Sequence, residues 1–219
     1  MPQHIKLFES WLGDIADKVK SAFTGEPGAD SAEVSDTEFK QEFEQEIEDI
    51  SAKSTQPRMD PLKNDKYFVV HHTAGRGRAE DVVNVLNDRG LGVQWVIDRD
   101  GKVFRTFPEG LTAWHAGTDE KDRKPGAPKD LENSTAQGVE VIANNDSDVL
   151  PSQVLAAFKL LKWLDFKEDD VWGHGEITFN KESTEGATIT DFWRKNWDKS
   201  VAEVEQMFDQ HHINKSTIA

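Results

Sequence analysis

From Tyr67 onward, short apolar runs of strand length alternate with stretches of helical periodicity, and that alternation restricts the chain to an α/β architecture. Tyr67-Phe68-Val69-Val70 is an apolar strand running into His71. Val82, Val83 and Leu86 share one side of a helix spanning 79–87. Residues 93–97 and 103–106, joined by a turn at Asp100-Gly101, have the form of a β-hairpin. Another strand covers 138–143. Pro151 opens a helix that reaches Leu164, with Leu150, Val154, Phe158 and Leu161 expected in the core. Val171-Trp172 leads into His174, and Val201, Val204 and Phe208 mark a terminal helix.

Residues 1–66 read as an acidic helical arm and linker, set apart from a main domain over 67–219. Ile5, Phe8, Leu12, Ile15 and Val19 recur at three- and four-residue steps and predict one short helix. Gly25, Pro27 and Gly28 then mark a loop. Ser35 and Glu38 have capping-box spacing ahead of a second amphipathic helix carrying Phe39, Phe43, Ile47 and Ile50. The polar stretch 51–65, with Pro57 and Pro61, reads as the linker. Two short helices offer little core of their own. The arm therefore folds back onto the domain, docks a protein partner through residues 1–50, or stays disordered.

Charge and composition narrow the chemistry. A net charge of −15, from 41 acidic and 26 basic residues with no Lys/Arg run, argues against a nucleic-acid partner. The chain has no cysteine, so disulfides and thiolate metal sites are excluded and His, Asp and Glu remain as strong ligands. No apolar run approaches a membrane span, and Lys6, Glu9, Asp14 and Asp17 break up any signal-peptide core. A substrate outside the membrane would then need another route of delivery.

Four segments carry candidate chemistry. His71 and His72 end the first strand, and strand alternation sends them to opposite faces, so only one can serve a given site. Such a pair is either a rigidly held metal ligand with its neighbour or simply structural. Trp172-Gly173-His174-Gly175-Glu176, with Lys181 and Thr184-Glu185-Gly186 following, could supply a ligand, a cation and a carboxylate, although a surface loop would look similar. Trp114-His115-Ala116-Gly117 could line a cleft or pack. Glu140 lies among apolar residues in Gly138-Val139-Glu140-Val141-Ile142. Burying it costs several kcal/mol unless it faces a polar cavity or a partner, which makes it a candidate base. The alternative places it on the solvent face of an edge strand.

Taken in order, these pieces resemble the type 2 N-acetylmuramoyl-L-alanine amidase family, which includes T7-type phage lysozyme, cytoplasmic anhydro-muropeptide amidases and animal peptidoglycan recognition proteins. The resemblance runs from Tyr67 to Trp193 and rests on five motifs in family order: His-His-Thr-Ala-Gly at His71, the hairpin, Trp-His-Ala-Gly, Gly-Val-Glu and Gly-His-x-Glu. It implies a mixed central β-sheet flanked by helices. It also implies Zn2+ held by His71 and His174, an oxyanion-stabilising Lys181, a water-activating Glu140, and a substrate groove lined by Trp114 and His115. Ser183 stands where the family usually has its third ligand. Glu185 is favoured there instead, because a carboxylate binds zinc far better than a hydroxyl, with Thr184 as the alternative. Val93 replaces the hairpin tyrosine of the T7 branch, which shifts the expected base to Glu140.

The activity so implied is zinc-dependent hydrolysis of the amide between the N-acetylmuramic acid lactyl group and L-alanine in bacterial peptidoglycan. Rival readings are a non-catalytic peptidoglycan-binding module and a virion structural protein carrying an amidase-like domain. A Gly-x-Ser-x-Gly elbow is absent, which weighs against a serine hydrolase. Without a signal peptide the chain suits a phage lysin, held in the host cytoplasm before lysis or packaged in a virion. A cytoplasmic recycling enzyme is the other setting.

Overall fold

The computed structural model describes residues 36–56, 60–117 and 119–210. In chain order its main elements are α1 (Asp36–Glu46), β1 (Glu48–Asp49), β2 (Tyr67–His72), α2 (Ala79–Asp88), β3 (Trp95–Ile97), β4 (Val103–Arg105) and β5 (Ala136–Val141), then α3 (Pro151–Trp163), β6 (Val171–Gly173), α4 (His174–Ile177), α5 (Ala187–Asn196) and α6 (Val201–Gln210). The six strands form one mixed sheet in the order β1-β4-β3-β5-β2-β6. Among these strands the β3–β4 hairpin is antiparallel and the other pairings are parallel. This is the architecture the resemblance implies.

Strand alternation sorts the side chains onto two faces. Phe68, Val70, Trp95, Ile97, Val139, Val141 and Val171 meet α3, α5 and α6 in the largest core, built around Phe158, Phe192 and Trp193. On the other face Val96 and Phe104 pack under Val82, Val83 and Leu86 of α2, and Tyr67, Val69 and Ala136 pack with Leu131 and Ile177. Gln153 is fully buried in α3, yet its amide is satisfied by the carbonyls of Ile97 and Ile142 and by the N–H of Leu150. Leu150, expected in the core, is only half-buried, because it occupies the position that precedes the helix.

The early segment is part of the domain where it is described. Phe43 is 3% exposed, stacks on Phe39 and meets Trp163 of α3. The helix stops at Glu46, so Ile50 reaches the core from beyond it, through the pairing of β1 with β4. The stretch read as a linker is tied down as well. Gln56 is buried, donating to the Thr112 carbonyl and accepting from the Trp114 N–H. The helix expected around residues 5–19 and the Ser35 cap lie outside the described residues. Phe43→Ala should cost about 3–5 kcal/mol of unfolding free energy in a denaturant titration. A change below about 1 kcal/mol would mean that α1 is not integral to the domain.

Candidate metal centre

The site forms at the carboxyl ends of β2 and β5. His71 is the penultimate residue of β2 and lies in register beside Glu140, on β5. Alternation turns His72 to the opposite face, as expected. His174 opens α4 directly after β6. The residue before it is held by Glu176, whose carboxylate accepts the Gly173 N–H at 2.8 Å and grips the Arg194 guanidinium at 2.7 and 2.9 Å.

Glu185 arrives on the turn before α5, and two glycines let it approach. A Cβ on Gly175 would lie 2.2 Å from the Glu182 carbonyl oxygen, so only glycine lets the turn sit against α4. Gly186 has φ +90, and a Cβ there would sit 2.6 Å from the Val70 carbonyl oxygen. The result is a compact triad. Glu185 Oε1 is 3.2 Å from His174 Nδ1 and 3.5 Å from His71 Nδ1, and the two rings are 4.3 Å apart. One donor atom from each residue lies within 4.8 Å of the others, and all three side chains are buried. Ser183 and Thr184, the other candidates for the third position, are exposed.

Protonation suits a cation. Burial, reinforced by the neighbouring His174, holds the His71 imidazole neutral. Burial pushes the Glu185 carboxyl up, but its polar contacts with His174 and His71 outweigh that and hold it well below the usual carboxylate range. Two imidazoles and a carboxylate, buried together, form a donor set suited to zinc.

His115 bears on this set from behind. Its ring packs on Gly138, where a Cβ would lie 2.5 Å away, which explains the glycine in that strand. Its Nε2 faces the Ala136 carbonyl at 3.3 Å, and its Nδ1 is 3.1 Å from His71 Nε2. A carbonyl only accepts. With His115 neutral, its Nε2 therefore carries the proton, its Nδ1 accepts from His71 Nε2–H, and the lone pair of His71 is left on Nδ1, facing Glu185. Burial, which pushes His115 down to about 3, keeps it neutral. Its ring thus contacts His71, where the resemblance implied a place along the groove.

Glu140 lies on an interior strand, between β2 and β3, so the edge-strand alternative does not hold. Its Oε2 is buried without a hydrogen-bond partner. Burial first, and the Glu185 charge second, raise its pKa to about 8. Lys181 Nζ stands 3.3 Å from Glu185 Oε1. Trp114 lines a cleft of about 870 Å3 with Asn133, Arg123 and Asn180, the neighbour of Lys181. Arg194, and the Glu176 that it holds, carry no expected role from the sequence. The signal for the cap was Glu176 three residues after Gly173, with an N-cap that has no side chain of its own.

The family model described as N-acetylmuramoyl-L-alanine amidase matches residues 61–188. No curated protein matches the chain. Among solved structures it is similar to the N-acetylmuramoyl-L-alanine amidase LysC from Clostridium intestinale URNW, at 18% identity over 75% of this chain and 96% of that one, with a TM-score of 0.48. It is also similar to a mutant endolysin from Bacillus subtilis, at 19% identity over 68% of this chain and 94% of that one, with a TM-score of 0.46. The Staphylococcus aureus hydrolase AmiA is 17% identical over 69% of this chain and 76% of that one, with a TM-score of 0.44.

Proposed function

Because this chain belongs to the N-acetylmuramoyl-L-alanine amidase family, with 61–188 matching its model, we propose that it is a zinc enzyme cutting the lactyl–L-alanine amide of peptidoglycan. The observation that carries the reading is the buried triad of His71, His174 and Glu185 with Glu140, whose buried Oε2 has no hydrogen-bond partner, beside it. His71, His174 and Glu185 would hold zinc, which when bound would supply a Lewis acid to acidify a water and polarise the lactyl carbonyl. Glu140 takes the proton of the attacking water on its carboxylate and delivers it to the L-alanine nitrogen as the C–N bond breaks. Lys181 offsets negative charge on the carbonyl oxygen. Trp114 borders the cleft that receives the glycan or stem peptide, and His115 orients His71.

The test uses the full chain, its zinc content measured, on isolated cell walls. Zinc-loaded protein should release stem peptides with a free L-alanine amine, detected by mass spectrometry. A chelator should stop release, and added zinc should restore it. Zinc-loaded protein that binds walls without cleaving them would make the chain a binding module.

A lysin role is the setting we propose, acting on the wall from the host cytoplasm or from a virion. No helix among the described residues is long and apolar enough to cross a membrane. A partner-docking role for residues 1–50 is also a proposal. Phe43 and Ile50 are already committed to the core, so its test is deletion of 1–35 with cleavage and binding compared against the full chain.

A further inference from the structure

We infer that Asp146 is a positioning residue for Glu185, clamping from across the fold the turn that presents this carboxylate to the two imidazoles. The inference rests on the reading of His71, His174 and Glu185 as a metal centre.

The argument starts from a gap in α5. A helix begins with backbone N–H groups that have no partner within it, and these are usually met by a Ser, Thr, Asp or Asn at the cap position. The cap position of α5 is Gly186, which has no side chain to offer. Glycine is required there, because a Cβ would lie 2.6 Å from the Val70 carbonyl oxygen. The cap comes instead from a residue 40 positions earlier. Asp146 Oδ1 accepts the Gly186 N–H at 3.1 Å, and its Oδ2 accepts the Thr188 N–H at 2.9 Å and the Thr188 hydroxyl at 2.5 Å. The hydroxyl also lies 3.2 Å from the Asp146 backbone carbonyl.

These bonds fall on both sides of the link between Glu185 and α5. Glu185 is the residue before Gly186, and its own carbonyl is fixed by the Gly175 N–H at 3.0 Å. The turn is therefore held on one side by α4, which carries His174, and on the other by Asp146. The anchor itself sits in a short 3-10 helix, Asp146–Asp148, a few residues after β5 and Glu140. Asp148 of the same helix grips Arg76, in the loop that follows His71, at 2.5 and 3.1 Å. One turn of chain thus ties together the segments that bring His71 and Glu185 to the centre. Groups that orient metal ligands without touching the metal typically change metal affinity by about 10–100-fold when removed.

The measurement is zinc affinity, by competition with a chromophoric chelator, on the full chain and its variants, with metal-free thermal unfolding run in parallel. Asp146→Ala should weaken zinc binding by about 10–100-fold. Asp146→Asn keeps one acceptor oxygen and should recover part of that loss. Glu203→Ala removes a cap of the same kind from the start of α6, away from the centre. It should lower the unfolding temperature and leave zinc affinity unchanged. Thr188→Val deletes only the hydroxyl, and gives a smaller loss in the same direction should Asp146→Ala fail to fold. Zinc affinity unchanged in Asp146→Ala or Thr188→Val, or lost equally in Glu203→Ala, overturns the inference alone. A parent protein that binds no zinc overturns the metal centre instead.

Discussion

Glu140→Gln should lower turnover of the zinc-loaded protein by about 10²–10⁴-fold, the usual contribution of a general acid–base group, with zinc content unchanged. Glutamine keeps the shape and cannot take a proton from water. The substitution should not disturb the ligands, because Glu140 lies outside the triad and its Oε2 has no hydrogen-bond partner to lose. Full turnover in a zinc-replete Glu140→Gln protein would remove the residue from proton transfer. The metal-free protein gives a second, independent readout. There the Glu140 pKa is raised from 4.5 to about 8, chiefly by burial and then by the Glu185 charge. Between those values the native state holds a proton that the unfolded chain has released, so this group's contribution to stability falls as pH rises through the window. Denaturation in chelator, repeated across pH 4.5 to 8, should show that decline in the parent and a shallower one in Glu140→Gln. Identical slopes would mean that the carboxyl is not desolvated.

The α/β layout was readable because β2 and β3 are apolar runs, and burial on both faces gives Tyr67–Val70 no polar alternation to mislead. What sequence could not show is pairing between distant segments. Whether Glu140 lies at an edge or in the interior depends on β3 and β2 flanking β5, contacts made over tens of residues. The polar look of 51–65, with Pro57 and Pro61, suggested a linker, yet that stretch contains the pinned Gln56. It is buried because two backbone groups near Trp114 need the amide that it carries. The helix with Phe39 and Phe43 was legible as amphipathic, while the surface that covers it, at Trp163, was not. The three ligand candidates came from motif order and residue chemistry. The choice among Ser183, Thr184 and Glu185 depended on a turn whose path is set by clearances at Gly175 and Gly186, which no spacing rule contains.

That turn makes Glu185 the sharpest place to test the centre. Glu185→Ala should abolish cleavage and weaken zinc binding by more than about a hundredfold. A structural zinc site of four ligands is worth about 10–16 kcal/mol, so one ligand carries roughly 3 kcal/mol. Glu185→Asp is the more informative variant. The backbone at 185 is fixed by the Gly175 N–H and by the left-handed Gly186, so it has little freedom to advance when the side chain loses a methylene. Aspartate keeps the charge and the oxygen donors, yet it should fall well short of the parent in zinc affinity. Thr184→Ala, one residue earlier on the same turn, should bind zinc as the parent does, because that side chain is exposed. If Glu185→Ala keeps zinc and Thr184→Ala loses it, the turn runs in a different register and the hydroxyl is the ligand. If both keep it, the third donor lies outside this turn altogether, and the buried carboxylate serves only as a polar partner packed against the two imidazoles.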